Sequence, residues 1–231
     1  MLANVTPTYH PQRDDDGNLV KIKSPSQPSP LSAWSEADAI ACVIPVGETP
    51  GQINGIRISA WTDHPADPQG WESIATQSNF TEPPLNVPPH RKAAAGVVIR
   101  EPDGRVWVVA PTNAFGGYRA TFPKGRLDGT SARAAALREA FEESGLQVRL
   151  LRHLIDVERS ESFSRYYLAE RVGGDPATMG WESQAVMLCP VDRLPEILNS
   201  AYDKPIVSAL KMLPPDESRI ASNREMFRRH Q

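Results

Sequence analysis

A chain of 231 residues, 40% of them hydrophobic and five of them Trp, can bury one full core and still carry an added segment. The formal net charge of −3 offers no basic field for a nucleic-acid backbone or an anionic membrane, so the expected partner is a small molecule, with no nucleic acid polymer and no membrane. Cys42 and Cys189 lie far apart, without the close Cys or His neighbours of a zinc or redox site; no basic segment followed by an apolar core opens the chain and no run is long enough to span a bilayer, so a cytoplasmic protein is expected.

Residues 1–31 join Asp14-Asp15-Asp16 to a Ser/Pro-rich run from Ser24 to Pro30 and read as a disordered arm. Residues 32–90 read as an N-terminal extension: Ala39 to Pro45 is apolar and β-branched, and Ile53 to Trp61 alternates in part, enough for a small β hairpin. Pro83-Pro84 and Pro88-Pro89 make 81–90 an extended connector, which sets a boundary at His90. Beyond it, Ala93 to Arg100 and Arg105 to Ala110 form a predicted hairpin around Pro102-Asp103-Gly104. A glycine- and aromatic-rich loop, Asn113 to Tyr118, leads to Thr121-Phe122-Pro123-Lys124-Gly125. Ser131 to Ser144 is a predicted alanine-rich helix, with Thr130 or Ser131 as N-cap and Gly145 as a left-handed C-cap. Leu146 to Val157, Phe163 to Glu170 and Ala185 to Cys189 read as strands, with a loop over Gly173-Gly174-Asp175-Pro176 before the last. Leu194 to Ser200 and Pro205 to Leu213 read as helices, and 214–231 as a polar tail or helix. This order predicts an α/β sandwich with a mixed sheet. Gly-Trp-Glu-Ser occurs at 70–73 and again at 180–183, but its flanks differ and it is read as coincidence.

The chemistry concentrates in Arg138-Glu139-Ala140-Phe141-Glu142-Glu143-Ser144-Gly145-Leu146. On a helix, Glu139, Glu142 and Glu143 fall on one side within a single turn. Like charges so close repel, and a divalent cation against them would remove the repulsion; ligands that are all oxygen suit Mg²⁺ or Mn²⁺. Glu-x-x-Glu-Glu taken alone is also what a solvated acidic face looks like.

The run from Gly125 to Leu146 resembles the Nudix box, a pattern that opens on glycine, passes a first glutamate and closes on Arg-Glu, an apolar residue, any residue, Glu-Glu, any residue, Gly and an apolar residue. Arg138, Glu139, Ala140 in the apolar slot, Glu142, Glu143, Gly145 and Leu146 occupy the second half, and Phe122-Pro123-Lys124-Gly125 looks like its usual opening. The first half departs twice: Gly125 stands one residue too close to Arg138, and Thr130 occupies the slot of the first glutamate. The resemblance covers about residues 91–213 and implies a Nudix-type α/β/α sandwich that hydrolyses phosphoanhydride bonds with bound Mg²⁺ or Mn²⁺. It implies Glu139, Glu142 and Glu143 as metal ligands, Arg138 as the group that orients a carboxylate, and a box glutamate or a later one as the base, for which Glu182 is the candidate beyond the box. A bound cation would offset charge on the phosphoryl oxygens and acidify a water.

Substrate residues are less sharply marked. Lys124 is expected on a phosphate or as a cap of its loop, and Gly125 for its backbone conformation. Tyr118 and Phe115 can stack on a base or pack on their own domain; Arg119, Arg126, Arg159 and Arg165 can meet further phosphates or solvent. Tyr166 and Tyr167 alternate in a strand, so one is expected to face inward and the other outward, and His153 is expected to be structural. The substrate classes that follow are a nucleoside diphosphate linked to another moiety, such as ADP-ribose or a dinucleoside polyphosphate. Diphosphoinositol, a nucleotide sugar, or nucleotide sensing without cleavage are the alternatives, and the first 90 residues can serve as a partner-binding arm or hold a homodimer.

Overall fold

The computed structural model describes residues 8–23, 25 and 27–213; the tail read over 214–231 lies outside them. The first element is a hairpin of β1 (Tyr9–Arg13) and β2 (Leu19–Lys21), followed by β3 (Ala41–Val43). A tight hairpin of β4 (Gln52–Ile53) and β5 (Ile56–Arg57) turns through Asn54-Gly55, both with positive φ, as a two-residue turn of the primed type requires. Helix α1 (Pro68–Ala75) starts where Asp67 caps the Gly70 amide at 2.7 Å and Pro68 takes the first turn.

Next come β6 (Lys92–Arg100), β7 (Val106–Pro111), the short β8 (Lys124–Arg126), α2 (Ala132–Ser144), β9 (Leu146–Glu158), β10 (Ser162–Gly174), β11 (Ser183–Cys189), α3 (Leu194–Ile197) and α4 (Lys204–Lys211). The main sheet runs β3-β11-β7-β6-β10-β9, with β8 paired to the first half of β6. Only β6 and β10 are parallel; the other pairs are antiparallel, so the sheet is mixed as expected. The predicted Gly173-Gly174 loop is instead the end of β10, because Gly174, at φ 88°, continues the pairing with Leu146.

Neighbouring side chains of the central strands enter two separate cores. Val97, Ile99, Trp107, Val109 and Tyr167 pack on the α1/α2 side, while Val98, Val106, Val108 and Tyr166 pack toward Leu194, Ile206 and Leu210 of α3 and α4. The result is an α/β/α sandwich. Tyr166 and Tyr167 do point to opposite faces, but both are fully buried, since helices cover both sides. Alanines set the distance of α2: Ala134, Ala135, Ala136 and Ala140 have no exposure and let the helix lie close on the sheet.

Two readings of the N-terminal third change. Part of the stretch read as a disordered arm is the β1–β2 hairpin, turned at Gly17 (φ 79°) with Asp14 accepting from the Asn18 amide at 2.7 Å. It buries His10, Val20 and Ile22, and it is tied to the strand β11 region by Trp181 N–H to Gln12 and Lys23 N–H to Gln184. A proline-rich composition lowers the average apolar content without preventing a short hairpin from docking its alternate side chains. The boundary at His90 is also not a break in packing: β3 is a strand of the main sheet, and Trp34, Ile53, Ile58 and Trp71 belong to the same core as α2. The two Gly-Trp-Glu-Ser segments have unrelated structures, one inside α1 and one leading into β11.

Candidate active site

Helix α2 presents its glutamates because both of its ends are fixed. Ser131 accepts from the Ala134 amide at 3.2 Å, and Gly145, at φ 69°, closes the helix in the left-handed conformation. A side chain at Gly145 would run into the Asp175 carbonyl. Helix α1 also anchors α2: its Glu72 accepts from the Ser131 amide at 2.6 Å and from its hydroxyl at 2.8 Å, a negative charge placed at the positive end of the helix.

Within this frame Glu139, Glu143 and Glu182 converge, each offering one carboxylate oxygen, all within 4.8 Å of one another. Glu139 is only 6% exposed. Burial lifts its carboxyl to about 8, with the negative charge of Glu143 adding and Arg138 opposing. Glu143 is lifted to about 7, again by burial first, against the pull of Lys124. Burial and Asp15, at the tip of the β1–β2 turn, raise Glu182 as well. Three carboxylates crowded against so little positive charge, with oxygen the only donor, fit a hard divalent cation.

Glu142 stands apart from that trio. Its side chain is 50% exposed and pairs with Arg138 at 3.5 Å, while Arg138 reaches Glu139 at 3.0 Å from its other terminal nitrogen. The same Arg138 nitrogen donates to the Arg126 carbonyl at 2.8 Å and lies 3.7 Å from Asp128. Glu182, which precedes β11, is thus brought beside the box carboxylates although it lies far from them in sequence.

Gly125 is constrained by its surroundings and not by its backbone angle. Its φ is not in the left-handed region; instead the Glu139 carboxylate occupies the space where a side chain would be. Lys124 gives its backbone amide to Glu143 at 2.9 Å and holds its ammonium 5.7 Å from the centre of the Tyr118 ring. Arg126 and Arg119 have exposed side chains, with the Arg119 amide bound to Asn199 at 2.8 Å, and Phe115 is 82% exposed.

Arg159 and Arg165 are not solvated surface cations. Arg159 is buried against Asp203 at 2.5 Å and donates to the Tyr166 hydroxyl at 2.8 Å, below the Tyr118 ring. Arg165 is held by both oxygens of Asp156 and by the Pro83 carbonyl. The same Asp156 contacts His153 at 3.0 Å, a structural contact. Sequence inspection passed over Asp128, whose Asp-Gly dipeptide marks the turn before α2, and Asp203, for which no local signal exists because its partner Arg159 comes from the β9–β10 connection.

The chain is similar to an RNA pyrophosphohydrolase of Caulobacter vibrioides, 36% identical over 103 residues, which is 43% of this chain and 56% of that protein. The chain thus spans little more than half the length of the curated relatives it matches. Among solved structures it is similar to a C. elegans Ap4A hydrolase binary complex, at 24% identity and a TM-score of 0.43, covering 51% of this chain and 92% of that one. A MutT NUDIX hydrolase from Burkholderia pseudomallei aligns at 23% identity and a TM-score of 0.45, covering 54% and 98%. No helix of the described residues is long and apolar enough to cross a membrane. The sequence model of the NUDIX domain matches residues 90–210, more than half of the chain, and the protein belongs to that family.

Proposed function

We infer that this protein is a metal-dependent pyrophosphohydrolase that cleaves a phosphoanhydride bond in a nucleoside diphosphate linked to another moiety, such as ADP-ribose or a dinucleoside polyphosphate. The observation that carries the reading is the convergence of the Glu139, Glu143 and Glu182 carboxylates within 4.8 Å. Like charges crowded around a buried carboxylate cost folding energy, a cost that a bound cation would offset.

In this reading Glu139, Glu143 and Glu182 hold Mg²⁺ or Mn²⁺. The bound cation supplies charge neutralisation at the phosphoryl oxygens and a more acidic water. Arg138 fixes the Glu139 carboxylate by a charge-assisted hydrogen bond and keeps Glu142 at the rim. Glu142, half exposed and with its carboxyl raised by burial, accepts the proton of the attacking water. The Lys124 ammonium meets a phosphate next to Tyr118. As water attacks phosphorus, the bridging P–O bond breaks and its electron pair leaves with the departing phosphate.

A second reading comes from the name of the curated relative, an RNA pyrophosphohydrolase: the 5′ end of an RNA in place of a small molecule. The net charge of −3 weighs against a polymer, whose backbone binding rests on cations. The deciding assay incubates the protein and its Glu139→Gln variant with Mg²⁺ and with ADP-ribose, dinucleoside polyphosphates, nucleotide sugars, diphosphoinositol phosphates or 5′-triphosphorylated RNA. Cleavage that vanishes in the variant supports hydrolysis and names the substrate. No cleavage with either cation, with nucleotide binding intact, would replace it by a sensing role.

A further inference from the structure

The two places where the box departs from the family pattern share one location. The shortened turn through Leu127 and Asp128, and Thr130 in the slot of the first glutamate, both line a cleft of about 540 Å³. The opposite wall comes from outside the box: residues 64–68 and Trp71, in and before α1. The floor is the outer side of α2, where Arg138, Phe141 and Glu142 face the cleft. Arg138 lines this cleft and also binds Glu139 of the carboxylate cluster at 3.0 Å, so the cleft lies beside the cluster.

The lining selects a kind of ligand. An aromatic wall forms where the His64 ring lies 4.3 Å from Phe141, with Trp61 edge-on at 5.4 Å and Trp71 tilted at 6.1 Å from the same ring. Asp67, Asp128 and Glu142 outnumber the single guanidinium of Arg138 on the walls, and Asp128 is 60% exposed, at φ 46° in the tight turn. A further phosphate would be repelled. A neutral flat ring with N–H donors would stack on the aromatics and donate to the carboxylates. Replacing the pattern's glutamate by Thr130 removes one more negative charge and side-chain volume from the space such a ring would fill. A cleft of this size is in the range of ligand pockets, about 300–1,000 Å³.

We propose that the cleft between residues 64–71 and the first half of the box seats the amino-bearing nucleobase of the substrate, so that the N-terminal extension is a specificity element of the hydrolase. The proposal rests on the pyrophosphohydrolase reading for its catalytic test, and a binding measurement tests it separately. His64→Ala removes an exposed ring of the wall, and Ala66→Phe fills the cleft from an exposed position without touching the core. In the full chain with Mg²⁺, the ratio of kcat/KM for a dinucleoside polyphosphate to that for a simple alkyl pyrophosphate should fall about tenfold in each variant, the worth of one base–aromatic contact. Calorimetric titration with ADP should show the same loss of affinity, while titration with inorganic pyrophosphate should not. Equal losses for both substrates, or none for either, would overturn the proposal. Absent cleavage of every pyrophosphate with ADP affinity still lowered by the variants would sink the hydrolase reading and leave the base site standing.

Discussion

Two buried acidic sites in this protein are built on opposite principles. Glu101, 1% exposed, has a full set of partners: Arg171 donates to both its oxygens at 2.5 and 3.2 Å, Trp107 at 2.8 Å and Asn54 at 3.0 Å. That site joins β6, β10 and the β4–β5 hairpin, and everything in it is satisfied. Glu139 is almost as buried, yet its nearest charged neighbours include two more carboxylates, and its partner Arg138 is shared with Glu142 and Asp128. Burial alone does not mark a functional acid. Burial without a sufficient counter-charge does, because the missing charge has to come from a proton or from a bound cation.

The sharpest test of this contrast is the exchange of glutamate for glutamine in each site. Glu139→Gln and Glu143→Gln should lower turnover on the order of 10³-fold, comparable to losing a principal electrostatic contact in an active site. Above about pH 8, where these carboxyls are ionised, both should also raise the melting temperature in EDTA, since they remove repulsion. A variant that loses stability in EDTA instead would place these carboxylates with Glu101 as structural groups. Glu101→Gln should do the reverse. It leaves Arg171 buried without its counter-ion and should cost about 3–5 kcal/mol in urea unfolding, with turnover of the remaining folded protein intact.

Gly125→Ala sharpens the comparison by displacing Glu139 without removing its charge. The new methyl group falls on the Glu139 carboxylate; a cost of about 1–3 kcal/mol is expected, together with weaker Mg²⁺ binding by calorimetry. Unchanged metal affinity would show that Glu139 need not sit where it does.

A further test lies in the pH dependence of stability. The Glu139 carboxyl rises from 4.5 to about 8 on burial, so the folded protein holds a proton that the unfolded chain has released between those values. Its stabilising share is full below pH 4.5 and is lost as pH rises through 8. Melting temperatures in EDTA should therefore fall from about pH 5 to about pH 8. The increment restored by Mg²⁺ should grow over the same range, since the cation takes the deprotonated form. A flat increment would contradict cation binding at these carboxylates.

The extents of these sites explain what could be read in advance. Helix α2 and its carboxylates were legible because a helix fixes neighbours three and four residues apart, and because Ser131 and Gly145 mark its ends chemically. The role of Gly125 was misread because the group a side chain there would displace, the Glu139 carboxylate, belongs to another element. Arg159 and Arg165 looked like surface cations because their partners, Asp203 and Asp156, are contributed by other segments of the chain. Glu182 could be named only as a candidate, since β11 had to pair with β7 before it could reach the box.

By itself the sequence determined the α/β class, the central hairpin, the capped helix and the placing of Glu139, Glu142 and Glu143 on that helix, all features set by spacing and local backbone chemistry. Only the tertiary structure decided that Trp34, Ile53, Ile58 and Trp71 of the N-terminal extension share the core and that Glu142 stands apart from Glu139, Glu143 and Glu182. It also decided that α1 and the shortened turn together enclose a cleft. Those outcomes depend on which segments pack against which, and packing is decided by burial summed over the whole chain and by no single stretch of it.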